Sequence, residues 1–114
     1  MNTKSKAAVL VKPGHMEIRE FDLPKPEKGA ALCKVLAVGV CGTDKHSYRG
    51  ETVQYKGTEN EIDLPFPIIQ GHEIAMEIVA IDEEGAKNLS YDGDYLKVGD
   101  RVTICPDVVC GECW

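Results

Sequence analysis

Long apolar runs are missing from this sequence. Near the N-terminus the longest is Ala7–Val11, too short for the core of a secretion signal, and no stretch approaches the ~20 residues of a membrane-spanning helix. Basic charge is also scarce: 13 Lys and Arg stand against 19 Asp and Glu, a formal net charge of −6. A surface of that sign repels phosphate, which argues against nucleic acid and against an anionic membrane as partners. No Gly-x-Gly-x-x-Gly occurs, so the sequence lacks a dinucleotide-binding fingerprint. Internal repeats and low-complexity tracts are absent as well. With 114 residues, the expectation is one small domain in the cytoplasm.

What the sequence does have is cysteine. There are five, at positions 33, 41, 105, 110 and 113. The odd number weakens a disulfide framework, and in a reducing compartment clustered cysteines suggest metal binding or catalysis instead. The remaining composition, 43% hydrophobic and 28% charged, suits a globular domain with a modest core.

Strand signals dominate the chain. Lys6–Lys12 stops at the turn signal Pro13-Gly14, and Met16–Phe21 alternates apolar and charged residues, so the two are expected to pair as a hairpin. Leu23–Gly29 reads as a loop. Ala30–Val40 is a long apolar, β-branched run and is expected to be the central strand. Thr43 or Asp44 can cap a short helix over Lys45–Arg49. Glu51–Phe66 is polar without a period and reads as a long surface loop. Glu73–Asp82 alternates as a strand, Glu83–Val98 is acidic and turn-rich, and Arg101–Cys105 reads as a further strand. Many short strands with turn punctuation suggest a compact, barrel-like β domain.

Three local patterns carry chemistry. Cys110-Gly111-Glu112-Cys113 can aim two thiolates at one metal, but supplies only two of the four ligands of a structural zinc site; the plain alternative is a loop with two inert thiols. Gly71-His72-Glu73, with Cys41 upstream, offers nitrogen, carboxylate oxygen and sulfur, all competent zinc donors. Alone, His72 reads equally as a structural histidine and Cys41 as a small buried hydrophobe. In Cys41-Gly42-Thr43-Asp44-Lys45-His46, a hydroxyl and a histidine follow the cysteine at a spacing suited to moving a proton; the plain alternative is a capped helical turn. Cys33 and Cys105, on expected strands, read as core, and His15 as exposed.

Taken in order, Cys41-Gly42-Thr43-Asp44, Gly71-His72-Glu73, Val98-Gly99-Asp100-Arg101-Val102 and Cys110-Gly111-Glu112-Cys113 closely resemble the zinc-dependent medium-chain alcohol and polyol dehydrogenases, over nearly the whole chain. The resemblance implies a mainly β, GroES-like barrel with short helical segments over residues 1–114, truncated before the Rossmann domain, with a structural zinc lobe incomplete from about residue 105. It implies that Cys41 and His72 are catalytic zinc ligands, and that Glu73 is a third ligand or a nearby carboxylate that can exchange onto the metal. Thr43 would receive the alcohol proton, His46 would end the proton relay, and Asp44 would orient the ligand histidine. Cys110 and Cys113 would be the first two ligands of the structural zinc.

The implied cofactors are zinc and NAD or NADP, the nucleotide held by the missing C-terminal domain. The implied partners are a small-molecule alcohol and further copies of the full-length enzyme, with no nucleic acid and no membrane. The 114-residue piece alone is expected to be inactive. Met76 stands where the family usually has glycine, three residues after Glu73. Gly42 after the ligand cysteine, and the polar insertion Glu51–Phe66, lean toward a secondary alcohol of the polyol, sugar-like or amino-alcohol kind. The competing expectation is a stand-alone zinc-binding GroES-like interaction module without activity. A small redox protein using Cys110 and Cys113 fits less well, since redox Cys-x-x-Cys pairs usually open a helix and the Gly-Glu between these two is expected to offer none.

Overall fold

The computed structural model describes residues 3–106. The described residues divide into two compact units, 3–25 with 40–71, and 26–39 with 72–106. In both, strands outweigh helices, in line with the expected fold class. Among the described residues no helix is long and apolar enough to cross a membrane.

The first unit opens with the expected hairpin. Strands β1 (Lys4–Lys12) and β2 (His15–Asp22) pair antiparallel, with Ala8 opposite Ile18 and Leu10 opposite Met16. Gly14 makes the reversal at φ 76°, and His15 is exposed with Nε2 3.0 Å from the Glu17 carboxylate. The core lies on β1, where Val9 and Leu10 are buried. Leu10 also exchanges two backbone hydrogen bonds with Ile68, at 2.8 and 3.0 Å, which ties the end of the following loop to the hairpin.

Helix α1 spans Gly42–Tyr48. It begins three residues earlier than the sequence suggests, because Cys41 rather than Thr43 or Asp44 is the N-cap. Its far end closes as a Schellman motif. Gly50 N–H donates to Ser47 O at 3.0 Å and Glu51 N–H to His46 O at 3.0 Å, with Gly50 at φ 77°. The hairpin turn braces this end: Gly14 N–H donates to Tyr48 O at 2.8 Å, and the Tyr48 hydroxyl donates to Gly14 O at 3.2 Å.

A Cβ on Gly50 would stand 2.9 Å from the Pro13 ring. Gly50→Ala therefore meets both a left-handed backbone and a ring that cannot swing aside. The expected loss is roughly 1–3 kcal/mol, read as a lower urea midpoint at unchanged m value.

Residues 51–66 are not a structureless loop. Gln54 and Ile62 exchange backbone hydrogen bonds at 2.8 and 3.1 Å, the buried Thr52 donates its hydroxyl to Asp63, and Gly57 N–H donates to Glu61 Oε2 at 2.7 Å. The excursion braces itself at its base and leaves its tip exposed around Tyr55.

In the second unit β3 (Ala31–Gly39), β4 (Glu73–Ile81) and β7 (Arg101–Val102) form an antiparallel sheet in the order β3-β4-β7. The expectation that Ala30–Val40 is the central strand is corrected: β4 is central. The apolar run misleads because Val35, Leu36 and Val38 are exposed, so hydropathy there does not report a neighbour on each side. Core residues Met76 and Ile78 project from one face of β4, two positions apart. Met76 pairs with Val35 and Val102, so the family's missing glycine is a packed side chain here. The last strand among the described residues stops at Val102, and Cys105 is exposed rather than in the core; Cys33 is half-buried, and burial pushes its thiol pKa up.

Between β4 and β7 the turn-rich segment contains α2 (Gly85–Asn88) and a tight hairpin, β5 (Ser90–Tyr91) with β6 (Asp94–Tyr95). Asp82 holds the entrance to this segment. Its Oδ1 accepts from Gly85 N–H at 2.6 Å and from Gly29 N–H at 2.9 Å. These backbone donors, Gly85 first, hold the Asp82 carboxyl below its ordinary pKa.

A carboxylate with a depressed folded pKa contributes stability that is present above the ordinary carboxylate range and lost as pH falls through the folded value. Asp82→Ala should therefore lower Tm at neutral pH, and its gap from the unmodified chain should narrow on acidification. A gap independent of pH would contradict this.

Candidate catalytic metal site

The site begins at the first turn of α1. Cys41 has extended backbone (φ −111°, ψ −176°), the usual N-cap conformation, and its carbonyl accepts from Lys45 N–H at 3.4 Å. Asp44, buried at 6% exposure, turns its Oδ2 back to accept Cys41 N–H at 2.9 Å. The reciprocal approach of Asp44 N–H to the Cys41 sulfur completes a capping box. Sulfur is a weak acceptor, so the carboxylate half supplies most of the ordering. Asp44 thereby fixes the residue whose sulfur belongs to the site.

His72 comes from the far end of the intervening segment. It follows Gly71, whose φ of 107° is a backbone state that side chains other than glycine's rarely adopt. The Gly-His pair thus has a conformational reason: the chain turns at Gly71 and His72 precedes β4.

One ligating atom from each of Cys41, Asp44 and His72 lies within 4.8 Å of the other two. Donors held 2.0–2.3 Å from a tetrahedral zinc are about 3.5 Å apart, so small side-chain movements close this set on one ion. Sulfur, nitrogen and carboxylate oxygen also match zinc chemically.

Glu73 is not a member of this group. It is the exposed first residue of β4 and pairs with Gly39, and its Oε2 lies 2.8 Å from where a Cβ on Gly39 would stand. The difference follows the strand boundary: His72 lies before β4, just after the turn at Gly71, whereas Glu73 is already in the sheet opposite Gly39. Sequence adjacency alone does not bring both His72 and Glu73 to one point.

Thr43 and His46 are exposed and lie three apart on α1. That spacing puts both on one face of the helix. His46 Nδ1 lies 2.5 Å from Glu51 Oε2. The His46 hydrogen bond is the main cause holding the Glu51 carboxyl below its ordinary pKa. Sequence reasoning marks Glu51 only as a polar loop residue; the signal for its place is Arg49-Gly50-Glu51, a helix end with glycine at the left-handed position. Cys110 and Cys113, expected as structural zinc ligands, lie outside the described residues.

A mainly β domain in which Cys41, Asp44 and His72 bring donor atoms together defines a class: a β domain with a candidate metal site rather than a simple β scaffold. Family comparison agrees. Residues 27–114 match the alcohol dehydrogenase GroES-like domain, and the chain belongs to that family.

Among similar proteins, L-threonine 3-dehydrogenase of Pyrococcus horikoshii is 38% identical over all of this chain, and sorbitol dehydrogenase of Bacillus subtilis 36% identical over 95% of it. The chain spans 29% and 27% of their respective lengths. A crystal structure described as a short chain alcohol dehydrogenase (rspB) from E. coli, complexed with NADH, superposes at a TM-score of 0.71 with 30% identity. It matches 99% of this chain and 28% of the other.

Proposed function

We propose that this chain is the zinc-holding part of a nicotinamide-dependent dehydrogenase that oxidises a secondary alcohol of the polyol, sugar-like or amino-alcohol kind. The observation that carries the reading is the convergence of Cys41, Asp44 and His72, with Thr43 and His46 on the helix that Cys41 caps. Cys41 and His72 hold the zinc. Asp44 orders Cys41 through its backbone N–H and neighbours His72. Glu73 is a carboxylate one residue from the ligand histidine that can exchange onto the metal, and Cys110 with Cys113 begin a second, structural zinc site.

When bound, zinc acts as a Lewis acid that lowers the pKa of an alcohol hydroxyl, and a nicotinamide accepts the hydride. The chain's own residues handle the proton: Thr43 accepts a hydrogen bond from the alcohol, and His46 passes the proton outward to solvent. NAD or NADP would be held by residues beyond this chain, in a complete enzyme that acts as a homo-oligomer in the cytoplasm. Relatives named for threonine and for sorbitol support a substrate carrying further polar groups.

The braced excursion 51–66 follows α1 and leads toward His72, and its exposed tip offers Gln54, Tyr55, Lys56, Glu59 and Asn60. We assign it the reading of those polar groups. The test is to shorten the tip in the complete dehydrogenase while keeping Thr52, Asp63 and the Gln54–Ile62 pairing. A site that hydrogen-bonds substrate hydroxyls rejects analogues lacking them. The kcat/KM for a polyol should therefore fall at least about 10-fold more than that for a short aliphatic alcohol. Equal changes for both would remove the excursion from substrate selection.

A further inference from the structure

We propose that Glu51 is a positioning residue that holds His46 with its proton on Nδ1, leaving Nε2 open to take the alcohol proton. This rests on the relay reading of His46 given above.

Two contacts from one residue carry the inference. Glu51 N–H donates to the His46 carbonyl at 3.0 Å, and the Glu51 carboxylate lies 2.5 Å from His46 Nδ1. The first belongs to the Schellman motif that ends α1, so the place of Glu51 is set by backbone hydrogen bonds and by Gly50, not by the side-chain contact itself. The helix end is braced in turn by Gly14 and Pro13. The carboxylate is thus delivered to the imidazole by the fold.

The chemistry then allows one arrangement. An ionised carboxylate only accepts hydrogen bonds. A neutral imidazole facing it through Nδ1 must therefore carry its proton on that nitrogen, and Nε2 keeps its lone pair. Without Glu51 the ring is free to turn and to place its proton on Nε2, where it cannot accept another. Glu51 acts through His46, the ring its carboxylate meets. The same logic places a carboxylate behind the catalytic histidine of hydrolytic triads.

The test has two arms. In the 114-residue chain, long-range 1H–15N spectra of the His46 ring at a pH where it is neutral should report Nδ1 protonated and Nε2 bare. In Glu51→Ala the ring should move toward the Nε2–H form, while the backbone amide spectrum stays that of the folded chain. In Glu51→Gln the side chain offers either an oxygen or an NH2, so a mixture is expected, and this variant guards against misfolding of the alanine form.

In the complete zinc-loaded dehydrogenase, Glu51→Ala should lower kcat about 10- to 100-fold, the range found when an orienting partner of a histidine is removed. KM and zinc content should not change, Glu51→Gln should fall between, and adding Glu51→Ala to His46→Ala should cost nothing more. A ring with its proton on Nε2 in the unmodified chain, or a tautomer unchanged in Glu51→Ala, overturns the proposal. So does an unchanged kcat, or a loss that persists in the His46→Ala background. If the complete protein oxidises no alcohol, the proposed function fails, and the ring spectrum still decides what Glu51 does to His46.

Discussion

Replacing His72 or Cys41 with alanine is expected to remove zinc from the catalytic site and to abolish alcohol oxidation in the complete dehydrogenase. A four-ligand zinc site is worth about 10–16 kcal/mol, so one ligand contributes about 3 kcal/mol, or roughly 100-fold in affinity. Activity is lost with the ion, because nothing else in the proposed site polarises the alcohol.

The neighbouring carboxylates separate by mechanism. Asp44 is buried and orders the N-cap, so Asp44→Asn should weaken metal binding or activity about 10- to 100-fold, as expected for a group that orients a ligand rather than one that holds the ion alone. Glu73 lies on the Gly39 side of β4, so Glu73→Gln should cost less than His72→Ala. Zinc content by atomic absorption, beside kcat, reads the whole series. A Glu73→Gln variant as depleted in zinc as His72→Ala would make Glu73 a ligand that swings in when the metal arrives.

The second large effect belongs to Thr43. Thr43→Ala should lower kcat by about 100- to 10,000-fold, the usual contribution of a positioned proton-transfer group, with zinc retained. Thr43→Ser, which keeps the hydroxyl, should restore most of the activity. His46→Ala should fall by less, since water can replace the outer step of a relay that ends at solvent. If Thr43→Ala loses zinc along with activity, the residue supports the metal site through the first turn of α1 instead of handling the proton.

Parts of this site are legible in the sequence. The alternation of Met16–Phe21 and Glu73–Asp82 reports strands because half-buried strands repeat every two residues, and both elements form. Residue chemistry and family resemblance single out Cys41, Asp44 and His72, and their donor atoms come together.

What escapes a reading of the sequence has physical reasons. Cys41 caps α1, but capping rules look for an oxygen, so they start the helix three residues late. Glu51 reaches His46 through a left-handed glycine, and that geometry has no hydrophobic period to announce it. The β5–β6 hairpin turns on Asp92-Gly93, at φ 52° and 85°. That pair is a recognised hairpin signal, but the strands beside it are two residues each and leave no alternation to see. The exposed Val35, Leu36 and Val38 give β3 the look of a central strand, because composition cannot tell which neighbours a strand has.

The most direct test of the catalytic metal site is cobalt substitution of the 114-residue chain in which Cys110 and Cys113 are both changed to serine. One cobalt should bind per chain, with a thiolate-to-cobalt charge-transfer band that disappears in Cys41→Ser and weakens sharply in His72→Ala. A chain that binds no cobalt, or one whose band survives both substitutions, would contradict a site built on Cys41 and His72.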